Sequence, residues 1–321
     1  MPLPTVTDVY DARRRLGTRL PRTPLLPSSW LSSIADGSVF LKLESLNLTN
    51  SFKIRGALNA ALRLSEGIDG QPPTIVAASA GNHGRSIALA AEELGLACVV
   101  FTPATAPEAK KAAIRRHGAV LHSDGVDYDA AEQQAKAFAK AEGGVFISPY
   151  NHRDVIAGAG TVGLEIVEAM PSFDVIVVPL GGGGLASGVG LALKAAAPQA
   201  TVVGVEVESS SPFSLSLKAG RITALTPRPS LADGLVGNLE AGTMTFPLVQ
   251  KVVDRVVRIS EDELARAMKG LAAEERLIVE GAGAAAVASI IAGKASAPGQ
   301  RVIALVTGGN VDLPKWLDTI N

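Results

Sequence analysis

Along most of the chain, short runs of apolar and β-branched residues alternate with longer stretches whose apolar positions recur at helical spacing. The runs Thr74–Ala78, Ala97–Phe101, Ala119–His122, Val145–Ser148, Asp174–Val178, Thr201–Val207, Arg255–Ile259 and Val302–Val306 predict strands. Several are apolar throughout rather than at alternate positions, the pattern of parallel strands covered by helices on both faces. Helices are expected at Arg85–Leu94, Glu108–His117, Asp129–Glu142, Leu185–Ala197, Glu261–Glu274 and Ala282–Ala292. Ser260 and Glu263 have the spacing of a capping box opening the fifth of these. Strands alternating with helices imply right-handed βαβ units, so the expected class is α/β with open, mostly parallel, twisted sheets.

At 321 residues the chain exceeds one ordinary domain. Breaks at Glu66–Pro73 and Ser148–Asn151 divide it into a small domain, 74–145, and a larger one assembled from 1–73 and 146–321. A hydrophobic fraction of 47% supplies material for a large core. The 30 Lys+Arg against 31 Asp+Glu leave a net charge of −1, which argues against a nucleic-acid partner or an electrostatic membrane binder. Cys98 is the single cysteine; it excludes an intrachain disulfide and suits a reducing compartment. The start, Met1-Pro2-Leu3-Pro4, lacks the basic-then-apolar pattern of a signal peptide, so a cytoplasmic protein is expected. Val175–Leu193 is uncharged and long enough to span a bilayer, but Pro179 and Gly181–Gly184 would break a spanning helix.

Four motifs could carry chemistry. Gly181-Gly-Gly-Gly-Leu185 follows an apolar strand and opens a helix. Its amides could converge on a phosphate at the positive end of the helix dipole, or the segment could be a plain turn. In Ser51-Phe-Lys53-Ile-Arg55-Gly56 the lysine either snorkels to the surface or is desolvated into a nucleophile for carbonyls. Ser79-Ala80-Gly81-Asn82-His83-Gly84, at a strand end opening a helix, offers amides suited to a carboxylate, and Asn82 a side chain for a polar group. Thr307-Gly-Gly-Asn310 ends the last strand, where open α/β sheets bind ligands. Gly158-Ala-Gly160-Thr-Val-Gly163 spells a dinucleotide fingerprint after apolar Val155–Ala157. It lacks an acidic residue at the end of the next strand to hold a ribose. His83, His117, His122 and His152 lack the spacing of a metal site.

Together these segments resemble the fold-type II (tryptophan synthase β-like) pyridoxal-phosphate enzymes, in particular the serine/threonine dehydratase and serine racemase group. The resemblance runs in order through Arg22–Leu25, Ser51–Gly56, Ser79–His83, Gly158–Thr161, Gly181–Leu185, Ala232–Gly234, Glu280–Gly283 and Thr307–Asn310. It implies pyridoxal 5′-phosphate as cofactor, a free amino acid as substrate and a homodimer. It also implies roles. Lys53 would hold the cofactor as a Schiff base and act as the catalytic base. Phe52 would pack near the ring, Asn82 bond its 3′-oxygen and Thr307 face its nitrogen. Gly181, Gly182, Gly183, Gly184 and Leu185 would bind the phosphate. Ser79, Ala80, Gly81, Asn82 and His83 would clamp the substrate carboxylate. The implied reaction is β-elimination of water from a 3-hydroxy-L-amino acid, giving a 2-oxo acid and ammonia.

Departures from the group's pattern choose among its members. Racemases carry a second serine where this chain has Ala80, and alanine cannot move a proton, so a dehydratase is expected rather than a racemase. Metal-dependent members follow the carboxylate matching Glu206 with another six residues on. Pro212 stands there, so no metal is expected, with a nearby site using Glu206 and Glu208 as the alternative. A regulatory extension is absent after Asn310, so feedback by a distal amino acid is not expected. The side-chain pocket is expected from Tyr150-Asn-His-Arg153 and the Ala232–Gly234 neighbourhood. Ala159, where the group has glutamine, and Asn151, near its usual proline, suggest an altered pocket. Arg153 either meets a second substrate carboxylate, as 3-hydroxyaspartate requires, or is a surface arginine beside Asp154.

Overall fold

The computed structural model describes residues 2–66, 70 and 72–320. Gly67, Ile68, Asp69 and Gln71 of the expected linker lie outside the described residues. The strands are β1 (Leu25–Ser28), β2 (Ser38–Leu43), β3 (Ile75–Ala78), β4 (Cys98–Pro103), β5 (Val120–Gly125), β6 (Val145–Phe146), β7 (Val175–Pro179), β8 (Thr201–Val207), β9 (Arg255–Ile259) and β10 (Arg301–Val306). The helices begin with α1 (Val6–Leu16), α2 (Ser29–Ala35), α3 (Lys53–Ser65), α4 (Asn82–Leu94), α5 (Glu108–Arg115) and α6 (Tyr128–Ala141). They continue with α7 (Arg153–Ala169), α8 (Gly184–Ala196), α9 (Pro212–Ala219), α10 (Thr245–Val252), α11 (Glu261–Glu275), α12 (Gly281–Ile291) and α13 (Leu313–Ile320).

Two sheets form. One has six strands in the order β1-β2-β10-β7-β8-β9, and the other four in the order β5-β4-β3-β6. All pairings are parallel except β1 with β2. Every strand and helix expected from the sequence is present, with ends shifted by a few residues. The uniformly apolar strands are buried on both faces. In β7, Val175 and Val177 join the core under α11 and α12, while Ile176 and Val178 join the core under α7 and α8. The capping box forms as expected, with Glu263 N–H donating to Ser260 Oγ at 3.2 Å and Ser260 N–H to Glu263 Oε2 at 2.8 Å. Val175–Leu193 forms β7, a glycine turn and part of α8. No helix among the described residues is long and apolar enough to cross a membrane.

Elements that the apolar pattern did not predict have local causes. β1 contains Pro27, and β2 places Lys42 at 2% exposure where a buried parallel strand is normally apolar. Lys42 is tolerated because its amine donates to Glu165 Oε2 at 2.6 Å and to the Thr23 carbonyl at 2.7 Å. The Gly158–Gly163 segment lies inside helix α7, with no strand before it. Its glycines are contact points: a Cβ on Gly158 would come within 2.4 Å of the Arg55 carbonyl, and one on Gly160 within 2.7 Å of the Gly188 carbonyl. They let α7 sit directly against α3 and α8, an assignment that needs no nucleotide.

Candidate active site

The three parallel strands β3, β7 and β10 all end at one cavity of about 1290 Å³, which lies between the two sheets. Each is followed at once by a motif singled out in the sequence: Ser79 after β3, Gly181 after β7, Thr307 after β10. Crevices beyond the carboxyl ends of parallel strands are the usual ligand sites of open α/β sheets, because loops there are free to vary above a fixed scaffold. Phe52 and Lys53, Ser79–His83, Gly181–Leu185 and Thr307 all line this one cavity.

Lys53 is the first residue of α3, and Phe52 before it is fixed by its N–H on the Thr307 carbonyl at 3.0 Å. The lysine amine donates to the Pro149 carbonyl at 2.9 Å and stands 5.1 Å from the centre of the Phe52 ring. Burial favours its neutral form and lowers its pKa to about 8, with the nearby Glu280 opposing. A snorkelling surface lysine is excluded by this placement.

In the 79–83 loop, Gly81 N–H donates to Ser79 Oγ at 3.1 Å, closing a tight turn into α4. Asn82 opens that helix. Its Nδ2 donates to Glu280 Oε1 at 2.7 Å, and its Oδ1 accepts from Asn310 Nδ2 at 2.7 Å. His83 is buried, and its Nε2 meets the Ile147 carbonyl at 2.9 Å, which requires a proton on that nitrogen. Burial, reinforced by the charge of Lys53, pushes its pKa down to about 3. Its imidazole is therefore a neutral strut between α4 and the chain after β6.

The glycine loop has a second reason for its composition. A Cβ on Gly182 would fall 2.4 Å from the Tyr150 ring, and one on Gly183 would fall 2.6 Å from Phe213 Cζ. Gly183 also has φ +86°, a conformation strained for other residues. The glycines thus let Tyr150 and Phe213 close beneath the loop, while first-turn amides of α8 have no carbonyl partner within the helix. Those amides, at the helix N-terminus and on the cavity wall, suit a phosphate. A buried primary amine for an aldehyde and a cradle for a phosphate are the donor set that pyridoxal phosphate requires, so the residues fit the group.

Several expectations about the pocket are corrected. Of Tyr150–Arg153, only Tyr150 lines the cavity. Asn151 is held by Glu240 and by the Met244 amide, and His152 caps α7. Arg153 forks onto Asp8, with Nη2 at 2.8 Å from Oδ1 and 3.0 Å from Oδ2, and so faces α1. Ala159 is buried in the core under α7 and α8, and Ala232 in the core under α12, whereas Asp233 and Gly234 do reach the cavity. Glu206 spends both oxygens on the α9 amides of Phe213 and Ser214, at 2.7 and 2.8 Å. Pro212 starts that helix, so the carboxylate serves as its cap.

Two cavity residues had been given no role. Glu280 stands immediately before α12 without capping it through its side chain, and burial, then the charge of Asp233, raise its pKa to about 7 against the Asn82 hydrogen bond. The signal was an acid immediately before a glycine-rich helix start. Arg85, one turn after Asn82, donates to Asn310 Oδ1. At the mouth, Lys110 of α5 meets Asp233 at 2.7 Å, joining the two sides.

Comparison with known proteins agrees with this geometry. An L-threonine ammonia-lyase from Thermotoga maritima is 41% identical over 309 residues, covering 96% of this chain and 76% of that protein. A crystal structure of a threonine deaminase from T.th. has a TM-score of 0.88 at 37% identity, covering 96% of this chain and 99% of the other. A pyridoxal 5′-phosphate-dependent aspartate racemase has a TM-score of 0.90 at 31% identity, covering 98% and 99%. The family model described as pyridoxal-phosphate dependent enzyme matches residues 18–308. With that match over most of its length, and an amine and a phosphate cradle on one cavity, the chain belongs to the pyridoxal-phosphate dependent enzymes.

Proposed function

We propose that the protein is an ammonia-lyase that eliminates water from a 3-hydroxy-L-amino acid of the serine and threonine type, giving a 2-oxo acid and ammonia. The observation that carries this reading is the buried Lys53 amine, poised near neutrality opposite the glycine cradle. The threonine ammonia-lyase and threonine deaminase relatives support it.

When bound, pyridoxal phosphate supplies a conjugated sink for the electrons released at the substrate Cα. The chain supplies the rest. Gly181–Leu185 hold the phosphate through their amides, and Phe52 packs beside the ring. Asn82, locked between Glu280 and Asn310, orients the ring oxygen. The Thr307 hydroxyl, which donates to the Ala282 carbonyl at 3.3 Å, would be the neutral partner of the ring nitrogen. The Ser79–His83 loop receives the substrate carboxylate, chiefly through backbone amides. Lys53 takes the α-proton from one face; on the other, Ala80 offers no acid or base, which favours loss of the β-hydroxyl over return of a proton. The segment 74–145 acts as a small mobile domain against 1–73 with 146–321, the Lys110–Asp233 pair fastening them. The same reading makes the protein a cytoplasmic homodimer, whose exposed Leu46, Leu48, Leu313 and Leu317 are of the kind a second copy covers.

The direct test is release of ammonia and 2-oxo acid from serine and threonine by protein loaded with the cofactor. D-Serine accumulating as fast as pyruvate would instead make it a racemase. Ala80→Ser should introduce D-serine formation that the parent lacks, read by chiral chromatography. Gly183→Ala should weaken cofactor retention by about tenfold or more, since αL strain for a non-glycine residue is worth ~1–3 kcal/mol. Equilibrium dialysis with absorbance detection reads that change.

A further inference from the structure

Two side-chain amides run between a cation and an acid along the cavity wall. The Arg85 guanidinium donates to Asn310 Oδ1. Asn310 Nδ2 donates in turn to Asn82 Oδ1 at 2.7 Å and to the Thr49 carbonyl at 2.8 Å. Asn82 Nδ2 then donates to Glu280 Oε1 at 2.7 Å. A guanidinium can only donate and an ionised carboxylate can only accept, so the two ends fix the direction of every bond between them. Turning either amide over would set donor against donor and acceptor against acceptor. The second Nδ2 hydrogen of Asn82 is therefore what it keeps for a ligand.

Of the two ends, Glu280 is the one that changes charge near neutrality. Its backbone N–H donates to the Gly308 carbonyl at 3.2 Å, and Gly308 lacks the Cβ that would collide with Oε1. The charged groups facing it come from four elements: Lys53 opening α3, Arg85 of α4, Lys110 of α5 and Asp233 of the helical turn Asp233–Leu235. The Asn310 N–H, after β10, also donates to its carboxyl. Burial, then Asp233, raise its pKa to about 7, while the Asn82 bond, Lys110 and the Asn310 amide oppose.

We infer that Glu280 is a positioning residue: ionised, it holds Asn82 turned as a hydrogen-bond donor to the 3′-oxygen of the cofactor ring, and on taking up a proton it releases Asn82, so that the state of that oxygen follows pH. This rests on the reading in which Asn82 faces the ring oxygen, and it adds what fixes and what frees that contact. The carboxyl already meets two donors, Asn82 Nδ2 and the Asn310 N–H, so an added proton sets donor against donor. Arg85 at the far end prevents the amides from reversing together, because its guanidinium cannot accept. The outcome is a loosened Asn82 and not an inverted one. A ring oxygen that receives a donor is stabilised as the anion, and one that loses the donor favours its protonated form. The anionic form extends the conjugation of the ring and absorbs in the visible, whereas the protonated form absorbs in the near ultraviolet.

The experiment records the absorbance of cofactor-loaded protein without substrate, for wild type, Glu280→Gln, Asn82→Ala and Asp233→Asn. In the wild type the ratio of visible to near-ultraviolet absorbance should rise about twofold or more from about pH 6 to about pH 8, over which a group of pKa about 7 passes from about a tenth to about nine-tenths ionised. Glu280→Gln and Asn82→Ala should each hold one ratio across that range, the first because it cannot ionise and the second because the link to the ring is gone. Asp233→Asn, an exposed change that spares the amide chain, should move the midpoint to lower pH, since Asp233 raises the Glu280 pKa. A wild-type ratio that stays flat overturns the inference, whether or not the variants hold cofactor. A rise that survives in Glu280→Gln or Asn82→Ala, or a midpoint unmoved by Asp233→Asn, overturns it too. Ammonia release from serine and threonine is measured on the same samples. A titrating band without ammonia leaves this inference standing and removes the ammonia-lyase reading, and ammonia with a flat band does the reverse.

Discussion

Lys53→Ala is expected to lose the near-ultraviolet and visible absorbance of covalently bound cofactor, and to lower turnover by about 10⁴-fold or more, as deletion of a covalent catalyst does. The size of the effect follows from its surroundings. The amine is buried, its described hydrogen bond is to a carbonyl, and its pKa sits at about 8 instead of the ordinary 10.5. At neutral pH the nucleophilic neutral form is then enriched on the order of 10²-fold over a surface lysine. The sign of the pH dependence is fixed by the same shift. Below about pH 8 the free amine is mostly protonated, so cofactor rebinding to stripped protein should accelerate as pH rises to that value and level off above it. Lys53→Arg should restore neither colour nor rate, because a guanidinium keeps the charge without the nucleophile. A coloured, active alanine variant would remove the basis of the assignment.

Arg55→Ala is expected to lower the unfolding temperature by about 4–8 °C, the equivalent of ~3–5 kcal/mol for breaking a buried ion pair. Arg55 is 1% exposed and lies two residues after Lys53 in the first turn of α3. Its guanidinium forks onto Glu44, at 2.8 Å through both Nε and Nη2, and onto Glu165 at 2.7 and 2.9 Å. Without it, two buried carboxylates share Lys42, the half-buried Arg13 and neutral hydrogen-bond donors. Burial, the largest single influence, raises the pKa of both acids, and Arg55 together with Lys42, and with Thr23 at Glu44, outweighs it, so both lie below the ordinary value. A lowered carboxylate pKa contributes stability that is present above the ordinary value of 4.5 and is lost as pH falls through the lowered one. Acid unfolding of Arg55→Ala should accordingly begin at higher pH than in the parent. The exposed Arg63–Glu66 pair is the contrast: Arg63→Ala should leave the melting temperature unmoved, because solvent screens such pairs. Equal effects at the two positions would show that burial is not what makes the Arg55 network matter.

The network also explains why part of the fold was illegible along the chain. Nothing in the local sequence marks the lysine of β2 or the arginine of α3 as buried, and only their meeting with Glu44 and Glu165 makes them core. The glycines of α7 spell a dinucleotide fingerprint along the chain, whereas their use is contact with Arg55 and Gly188, which belong to other helices. The uniformly apolar strands and the Ser260 cap were legible because each depends on residues within a few positions of itself.

The same division holds for the site. Sequence alone determined the alternation of strands and helices, the parallel sheets and the segments that meet at the cavity, since periodicity and glycine placement are local properties. It also singled out Lys53, although whether that lysine was a solvated cation or a buried nucleophile stayed open until its resemblance to a known family was invoked. Tertiary structure decided which charges are neutralised: it turned Arg153 onto Asp8, made Glu206 a helix cap, raised Glu280 to about 7 and left Arg85 facing the cavity without a carboxylate. The reason is electrostatic. The state of an ionisable group depends on desolvation and on nearby charges, and here those charges come from residues far away in the chain, Glu280 acting on Lys53 and Arg55 on Glu165.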